Sequence, residues 1–448
     1  MSIKQHQHAH WSSRLAFILA ATGSAVGLGN IWKFPYMVGE SGGAAFVLIY
    51  LLCIGLIGLP ILVAEWLIGR RGQNNPANAM ADLAKGAGRP RAWMLVGISG
   101  ILGAFLILSF YSVIGGWSLY YTLNSVTGAF SGQDADGIGA LFNAMLASPG
   151  LLLAGHSVFM LLVIGIVARG VTKGLEGAVR TLMPALGVLM VVLVGYGMTT
   201  GHFGQALTYL FNPDWSALSG ETVLAALGHA FFTLSLGMGI MMAYGSYLGR
   251  EVDLLKTART VVIMDTVIAL GAGLAIFPIV FANDLDLASG PGLIFVTLPL
   301  AFGKMGGGII VGLMFFLLLT FAALTSAISL LEPVVEFVEE RTPLSRVAST
   351  LVAGVAAWGL GIAALLSFNL WSEPVLFGLN VFDLLDKLTS KFMLPLTGLG
   401  VILFTAWQLD RHEVARELGL SGTAAGIWHL VTRFIAPIGV AVVFVSSL

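Results

Sequence analysis

An all-α polytopic membrane protein, arranged as two inverted five-helix repeats with broken helices 1 and 6 plus one further helix, is the fold class this sequence predicts. Three observations carry that prediction. The 448 residues are 57% hydrophobic and only 10% charged, with mean hydropathy +0.92, which lies outside any soluble globular class. Apolar segments long enough to cross a bilayer recur along the whole chain, leaving no room for a separate soluble domain. Glycine clusters interrupt the first and sixth of these segments, Gly23 to Gly29 and Gly237 to Gly239, and two matched breaks are what inverted repeats produce.

Read against Gly, Pro and charge punctuation, the apolar runs place about eleven spans at 14–35, 41–70, 90–124, 150–169, 174–199, 221–248, 256–281, 305–338, 346–367, 375–407 and 425–446. The second, third, eighth and tenth exceed what a bilayer requires, so they tilt or extend into water. The organisation that follows is a tail at 1–13, a first repeat at 14–199, an outer loop at 200–220, a second repeat at 221–410 and an additional helix at 411–448. Between Asn283 and Phe302 a Gly/Pro-punctuated polar stretch precedes a short apolar run. That run is too short to span and is expected to dip back as a lid.

Basic residues orient the bundle. Arg70, Arg71, Lys85, Arg89 and Arg91 crowd one loop, and Arg169, Lys173, Arg180, Arg250, Lys256, Arg259, Arg341, Arg346, Arg411 and Arg416 fall on the same side. Opposite lie Asp134, Asp136, Asp214, Glu221, Asp284, Asp286 and Glu373, with Lys304 the main exception. The excess of positive charge marks the cytoplasmic side of the cell's inner (plasma) membrane. The N-terminus is then inside and the C-terminus outside. The first apolar segment lacks a signal-peptide cleavage site and is expected to stay in the mature chain.

A formal net charge of -1 removes the electrostatic case for nucleic acid as a partner. Cys53 stands alone in an apolar run, so neither a disulfide framework nor a cysteine metal cluster is available. The alternating His6, His8 and His10 read as a solvated tail. No nucleophile relay, metal-ligand helix motif or phosphate loop appears, and an enzyme is not indicated.

The chemistry concentrates at the breaks. In Gly23-Ser-Ala-Val-Gly-Leu-Gly-Asn30 the glycines raise the cost of continuous helix at a depth where lipid leaves freed backbone groups unpaired. An interrupted helix offers amide N–H groups to an anion and unwound carbonyls to a cation, which describes a site for an amino-acid carboxylate beside Na+. The second break is Phe231-Phe-Thr-Leu-Ser-Leu-Gly-Met-Gly239; close helix packing by small residues is its bland alternative. Asp265, a carboxylate within an apolar run, is a functional candidate by default. Thr325 and Ser326 supply adjacent hydroxyl oxygens suited to a hard ion. Tyr111 lies in the third span. Glu65 reads as a brace for a broken helix, and Glu332 as facing an inner aqueous path.

Taken together, Trp11-Ser-Ser-Arg14, Gly-Ser-Ala-Val-Gly-Leu-Gly-Asn30, Lys33-Phe-Pro35, Glu65-Trp-Leu-Ile-Gly-Arg70, Phe-Phe-Thr-Leu-Ser-Leu-Gly237 and Leu-Thr-Ser326 resemble the neurotransmitter:sodium symporter family, in its bacterial amino-acid branch with eleven spans. The resemblance runs from His10 to the end. It implies a first Na+ site from Ala25, Asn30, Thr233 and Asp265 with the substrate carboxylate, and a second from Gly23, Val26, Ala322, Thr325 and Ser326. It implies a substrate site among Ala25, Leu28, Gly29, Ile107, Tyr111, Phe232, Thr233, Ser235, Met238, Ser326 and Leu330.

Gly27 occupies the position where amine-transporting relatives carry aspartate, which favours an amino acid. Met238, Ile107 and Leu330 favour a large hydrophobic or aromatic side chain. Asp265 supplies the negative charge that chloride gives other relatives, so chloride independence is expected, and it could return a proton on the empty step. The gates implied are Lys33 with Asp386 outside, and Trp11, Tyr247 and Glu340 inside. Three positions depart from the family pattern: Lys33 and His8 stand where Arg is usual, and His229 replaces Gln. The resulting expectation is a sodium-coupled, alternating-access importer of L-amino acids in the lipid bilayer, with Na+, two ions by the resemblance, and no organic cofactor. A proton-coupled or other-ion-coupled transporter and a non-transporting amino-acid sensor are the alternatives.

Overall fold

The computed structural model describes residues 10–287 and 292–446; His6 and His8 of the tail lie outside the described residues. Nine continuous helices are long and apolar enough to cross a membrane among the described residues: Ala44–Gly72, Arg91–Thr127, Pro149–Val167, Val171–Thr199, Leu254–Ala282, Gly308–Arg341, Arg346–Leu366, Val381–Gln408 and Gly422–Ser446. Two broken spans complete the bundle. Span 1 consists of Arg14–Ala25 and Gly29–Glu40, bent by 49° at the break. Span 6 consists of Gly220–Thr233 and Ile240–Ser246. In chain order the continuous helices are therefore spans 2 to 5 and 7 to 11.

Local chemistry explains the ends of these elements. Ser13 caps span 1 by accepting from the Ala16 N–H, and Ser219 caps span 6 by accepting from Thr222, each satisfying a donor the first turn leaves open. The first break is short: Val26 turns extended after donating to the Thr22 carbonyl at 2.6 Å, and helical geometry resumes by Leu28. The second is wider. Ser235, Gly237 and Gly239 all adopt positive φ, at 54°, 73° and 71°, a region that costs a side-chain-bearing residue such as Ser235 real strain.

Spans 1 and 6 are enclosed by their neighbours: span 8 runs along span 3, span 2 packs against the second half of span 6, and spans 5 and 7 pack together behind span 1. Span 10 reaches the second break through Leu394, which lies against Gly237, and spans 9 and 11 lie outside this centre. The breaks are thereby removed from lipid, the only setting in which unwound backbone survives at membrane depth.

Several boundaries differ from those the sequence suggests. Span 1 continues past Pro35 to Glu40: Gly29–Lys33 is wound as a π-helix and Pro35 follows it as the second residue of Phe34–Glu40, the looser turn accommodating the missing N–H. Span 10 begins at Val381 rather than 375. Leu376 and Leu379 instead form a tight reversal, with Phe377 at φ 52°, and Asn380 caps the helix by accepting from the Asp383 N–H. An apolar run therefore overstated the span. Four short helices lie outside the spans placed from sequence: Pro76–Gly86, Ala135–Leu146, Phe203–Phe211 and Arg411–Glu417.

The outer segment expected to dip back forms helical turns over Leu293–Lys304, and its side chains Leu293, Ile294 and Phe295 are buried. Tyr121 donates to the Phe295 carbonyl at 2.8 Å, and the Phe295 ring meets Trp32 and Trp117 with centroids 5.9 and 5.6 Å away. The segment is a plug over spans 1, 3 and 8.

Candidate ion and substrate site

Asp265 organises the site. Its carboxylate is fully buried and accepts from Asn30 Nδ2 at 2.7 Å, from Thr233 Oγ1 at 3.1 and 3.2 Å, and from the Tyr50 hydroxyl at 3.2 Å. Span 1 thus meets spans 2, 6 and 7 at one carboxylate. Asn30 Oδ1 in turn accepts from the Gly27 N–H at 3.2 Å, holding the break open. Asn30, Thr233 and Asp265 were expected together; Ala25 ends the first half-helix beside them and lines the adjoining cavity. Tyr50 was missed. Its signal was a lone phenol in a nearly uniform apolar run.

A second cluster joins span 1 to span 8. Ser326 Oγ lies 3.4, 3.2 and 3.4 Å from the carbonyl oxygens of Gly23, Ser24 and Val26. Thr325 Oγ1 turns back onto its own helix, 3.0 Å from the Ala322 carbonyl. Hydroxyl and carbonyl oxygens converge here without a formal charge, a donor set suited to a monovalent hard cation. The Ser24 carbonyl also accepts from Ser235 Oγ at 2.9 Å, so it ties both breaks together. Sequence reasoning missed it, since a backbone carbonyl leaves no compositional trace.

Between the two clusters lies a cavity of about 20 Å³ lined by Ser24, Ala25, Gly27, Leu28, Gly29, Ile107, Tyr111, Phe232, Ser235, Met238, Ser326 and Leu330. Every expected substrate residue lines it except Thr233, whose hydroxyl is turned to Asp265. The Leu28 N–H donates to the Tyr111 hydroxyl at 3.3 Å, and the remaining walls are largely apolar. The space is of the order of one water, so a bulky ligand enters only when its walls give way. A Cβ at Gly27 would stand 2.4 Å from Ser326 Oγ and 3.0 Å from the Tyr111 hydroxyl; any side chain at Gly27 would have to displace them.

Glu65 is the brace its position suggested: its buried carboxylate accepts from the Gly237 N–H at 2.7 Å, inside the second break. Glu332, expected to face an inner aqueous path, lies at the arginine-rich end but is shut off from water there. It is fully buried, accepts from the Tyr247 hydroxyl at 2.7 Å and pairs with Arg346. Charge pairing outcompetes solvation for an acid at this depth.

At the arginine-rich end, Trp11 donates its indole N–H to the Tyr244 carbonyl at 3.0 Å and its backbone N–H to the Tyr247 carbonyl at 3.3 Å. Its ring sits edge-on to Tyr244 at 5.2 Å. Glu340 does not join this contact; it accepts from Asn75 and Asn78. Tyr247 uses Glu332, with Arg346 as the cation. At the opposite end, Lys33 and Asp386 do not form an ion pair among the described residues. Lys33 Nζ instead lies over the Phe232 ring, 4.7 Å from its centroid. A compact ammonium gains from the ring face what an arginine fork would gain from the carboxylate. Lys33→Arg is therefore expected to engage Asp386 and slow release of bound substrate toward that end, by up to about fivefold, as read by dissociation of radiolabelled amino acid. His229 packs its ring against Phe34, Phe46 and Tyr50 at 5.7, 6.3 and 5.3 Å.

Two discontinuous helices face each other at the centre of a polytopic bundle, with clusters of converging oxygens on either side of a small, mostly apolar cavity. This defines a membrane transport protein of the broken-helix type. The comparisons narrow it further, and the chain belongs to the sodium:neurotransmitter symporter family, whose model matches residues 8–137 and 140–448. It is a sodium-dependent symporter of that family. It is 38% identical to the uncharacterized sodium-dependent transporter YhdH of Bacillus subtilis (strain 168), over 99% of this chain and 98% of the relative. An uncharacterized sodium-dependent transporter of Haemophilus influenzae is 33% identical over 100% of both chains. Among solved structures, the crystal structure of MhsT in complex with L-phenylalanine matches with TM-score 0.90 and 46% identity, covering 98% of this chain and 100% of that one.

Proposed function

We propose that this protein imports large hydrophobic or aromatic L-amino acids by alternating access, driven by two sodium ions and independent of chloride. The observation that carries the reading is the buried Asp265 carboxylate gathered by Asn30, Thr233 and Tyr50 next to a cavity whose amides and Tyr111 hydroxyl face where a substrate carboxylate would lie. A resident carboxylate makes chloride superfluous at the first ion. Gly27, which has no room for a side chain, leaves the second negative charge to the substrate and so selects a zwitterion over an amine. The apolar walls from Ile107, Met238 and Leu330, and the phenylalanine bound by the structural relative MhsT, support a bulky side chain.

In this mechanism Na+ at Asn30, Thr233 and Asp265 fixes the break of span 1 for the substrate. Na+ at Gly23, Val26, Ala322, Thr325 and Ser326 holds span 1 to span 8. Substrate draws Tyr111 and Phe232 over the cavity, and loss of the second ion frees the first half of span 1 together with the Trp11 contact. The arginine-rich end is cytoplasmic by the positive-inside rule, with Trp11, Tyr247, Arg346 and Glu332 closing it and Lys33, Asp386 and Phe232 guarding the other end. The repeats then divide within 200–220, and span 11 stands apart from both.

The test is uptake into proteoliposomes. Phenylalanine accumulation should collapse to the leak rate when choline replaces Na+ and persist when gluconate replaces chloride. Uptake that survives in choline would refute sodium coupling, and uptake lost in gluconate would refute the role given to Asp265.

A further inference from the structure

Span 11 carries an arginine well inside its length. Arg433 lies eleven residues beyond Gly422, where the helix starts, or about 16 Å along its axis. An arginine at such depth is rare and calls for a partner. Among the described residues no carboxylate pairs with it, and its Nε is buried without a hydrogen-bond partner. The guanidinium instead stacks on Trp407 at the end of span 10, 4.0 Å from the ring. Trp407 returns the contact by donating its indole N–H to the Arg433 carbonyl at 3.3 Å. The side chain is thus fixed pointing toward the arginine-rich end, on the outside of the bundle.

A second arginine stands in its surroundings. His429, one turn away, lies within electrostatic reach of Arg433, Arg411 and His412, and Arg411 donates to His412 at 3.2 Å. The acids nearby are already engaged. Asp410 Oδ1 caps the Arg411–Glu417 helix by accepting from His412 and Glu413 at 2.9 Å each, and Glu413 and Glu417 pair with Arg71. Beside this cluster span 11 exposes Leu430, Phe434 and Ile438, an apolar face of the kind acyl chains cover.

We infer that the seam between spans 10 and 11 is a binding site for an anionic phospholipid of the adjoining leaflet, with Arg433 and Arg411 holding the headgroup phosphate and the exposed face of span 11 receiving the chains. The guanidinium fork offers paired donors to phosphate oxygens while its flat face stays on the indole. Zwitterionic lipid brings its own cation into the same space and is disfavoured. The inference stands apart from the transport reading, since none of these residues lines the ion and substrate site.

Native mass spectrometry of the full-length protein in detergent tests it, using phosphatidylglycerol, phosphatidylcholine of the same chains, and inorganic phosphate as probes. The wild type should hold phosphatidylglycerol in preference to phosphatidylcholine, and Arg433→Gln should reduce that occupancy about fivefold, the expected weight of one basic residue near a lipid surface. Arg411→Gln, on an exposed turn where folding is not at stake, should reduce it as well and decides the matter if the first variant cannot be purified. Unchanged phosphatidylglycerol occupancy in these variants would overturn the assignment. Displacement of the lipid by equimolar inorganic phosphate would also overturn it, by making the cluster a free-anion site.

Discussion

Asn30→Ala is expected to abolish sodium-driven uptake while leaving a folded protein. Among the described residues the Asn30 amide is the side chain that touches both the break of span 1, through the Gly27 N–H, and the Asp265 carboxylate. Its loss leaves a buried charge short of its closest donor and the break without its clamp. A hydrogen bond to a charged group contributes about 1.5–3 kcal/mol, so Na+ affinity at this site should fall by about ten- to a hundredfold. Measured as the sodium dependence of phenylalanine uptake, the curve should move beyond the accessible range. Uptake with an unchanged sodium midpoint would remove Asn30 from the ion site. Thermal stability in detergent is measured with and without sodium, because the lost hydrogen bonds weaken the sodium-free fold as well; loss of the sodium-dependent gain in melting temperature is what isolates the ion site.

Gly237→Ala should be among the most damaging single substitutions in the chain. The residue sits at φ 73°, and an added Cβ would stand 2.4 Å from the Leu394 carbonyl oxygen of span 10. Its N–H is also the donor to Glu65, so any backbone shift that relieves the clash weakens the brace. Strain and overlap together predict a loss of about 2–3 kcal/mol or more, seen as a large fall in apparent melting temperature and in detergent-solubilised yield. Gly239→Ala provides the comparison, since it shares the left-handed backbone, at φ 71°, but its Cβ would find its nearest neighbour at 3.4 Å. Its cost should be smaller. Equal losses at the two positions would mean that backbone strain alone, without the contact to span 10, governs the break.

Much of this molecule was readable from residue order. Membrane spans announce themselves because burial in lipid demands long apolar helices, and a carboxylate such as Asp265 in that background stands out because leaving it unpaired is so costly. The two breaks were visible for a related reason: a glycine cluster inside a span weakens the helix where only a function repays it. Glu65 was legible as a brace on the same ground. By contrast, Glu332 has an equally conspicuous sequence position, yet its partner Arg346 comes from span 9. Which cation would neutralise it depended on how the helix ends converge.

Composition and order fixed the membrane class and the broken spans and marked Asp265, Thr325 and Ser326 as candidates, since each follows from the cost of polar groups in an apolar medium, which acts on every residue locally; the full ion and substrate sets were implied by the family resemblance. Pairing across the bundle required the folded chain. The Ser24 carbonyl shared by Ser235 and Ser326, Tyr50 on Asp265, Trp11 on the carbonyls of span 6, Lys33 on Phe232 instead of Asp386, and the start of span 10 at Val381 all depend on which surfaces meet at distances of a few ångströms. Hydropathy is a property of one segment and contacts are properties of two, so the first can be read along the chain and the second emerges when the helices close on one another.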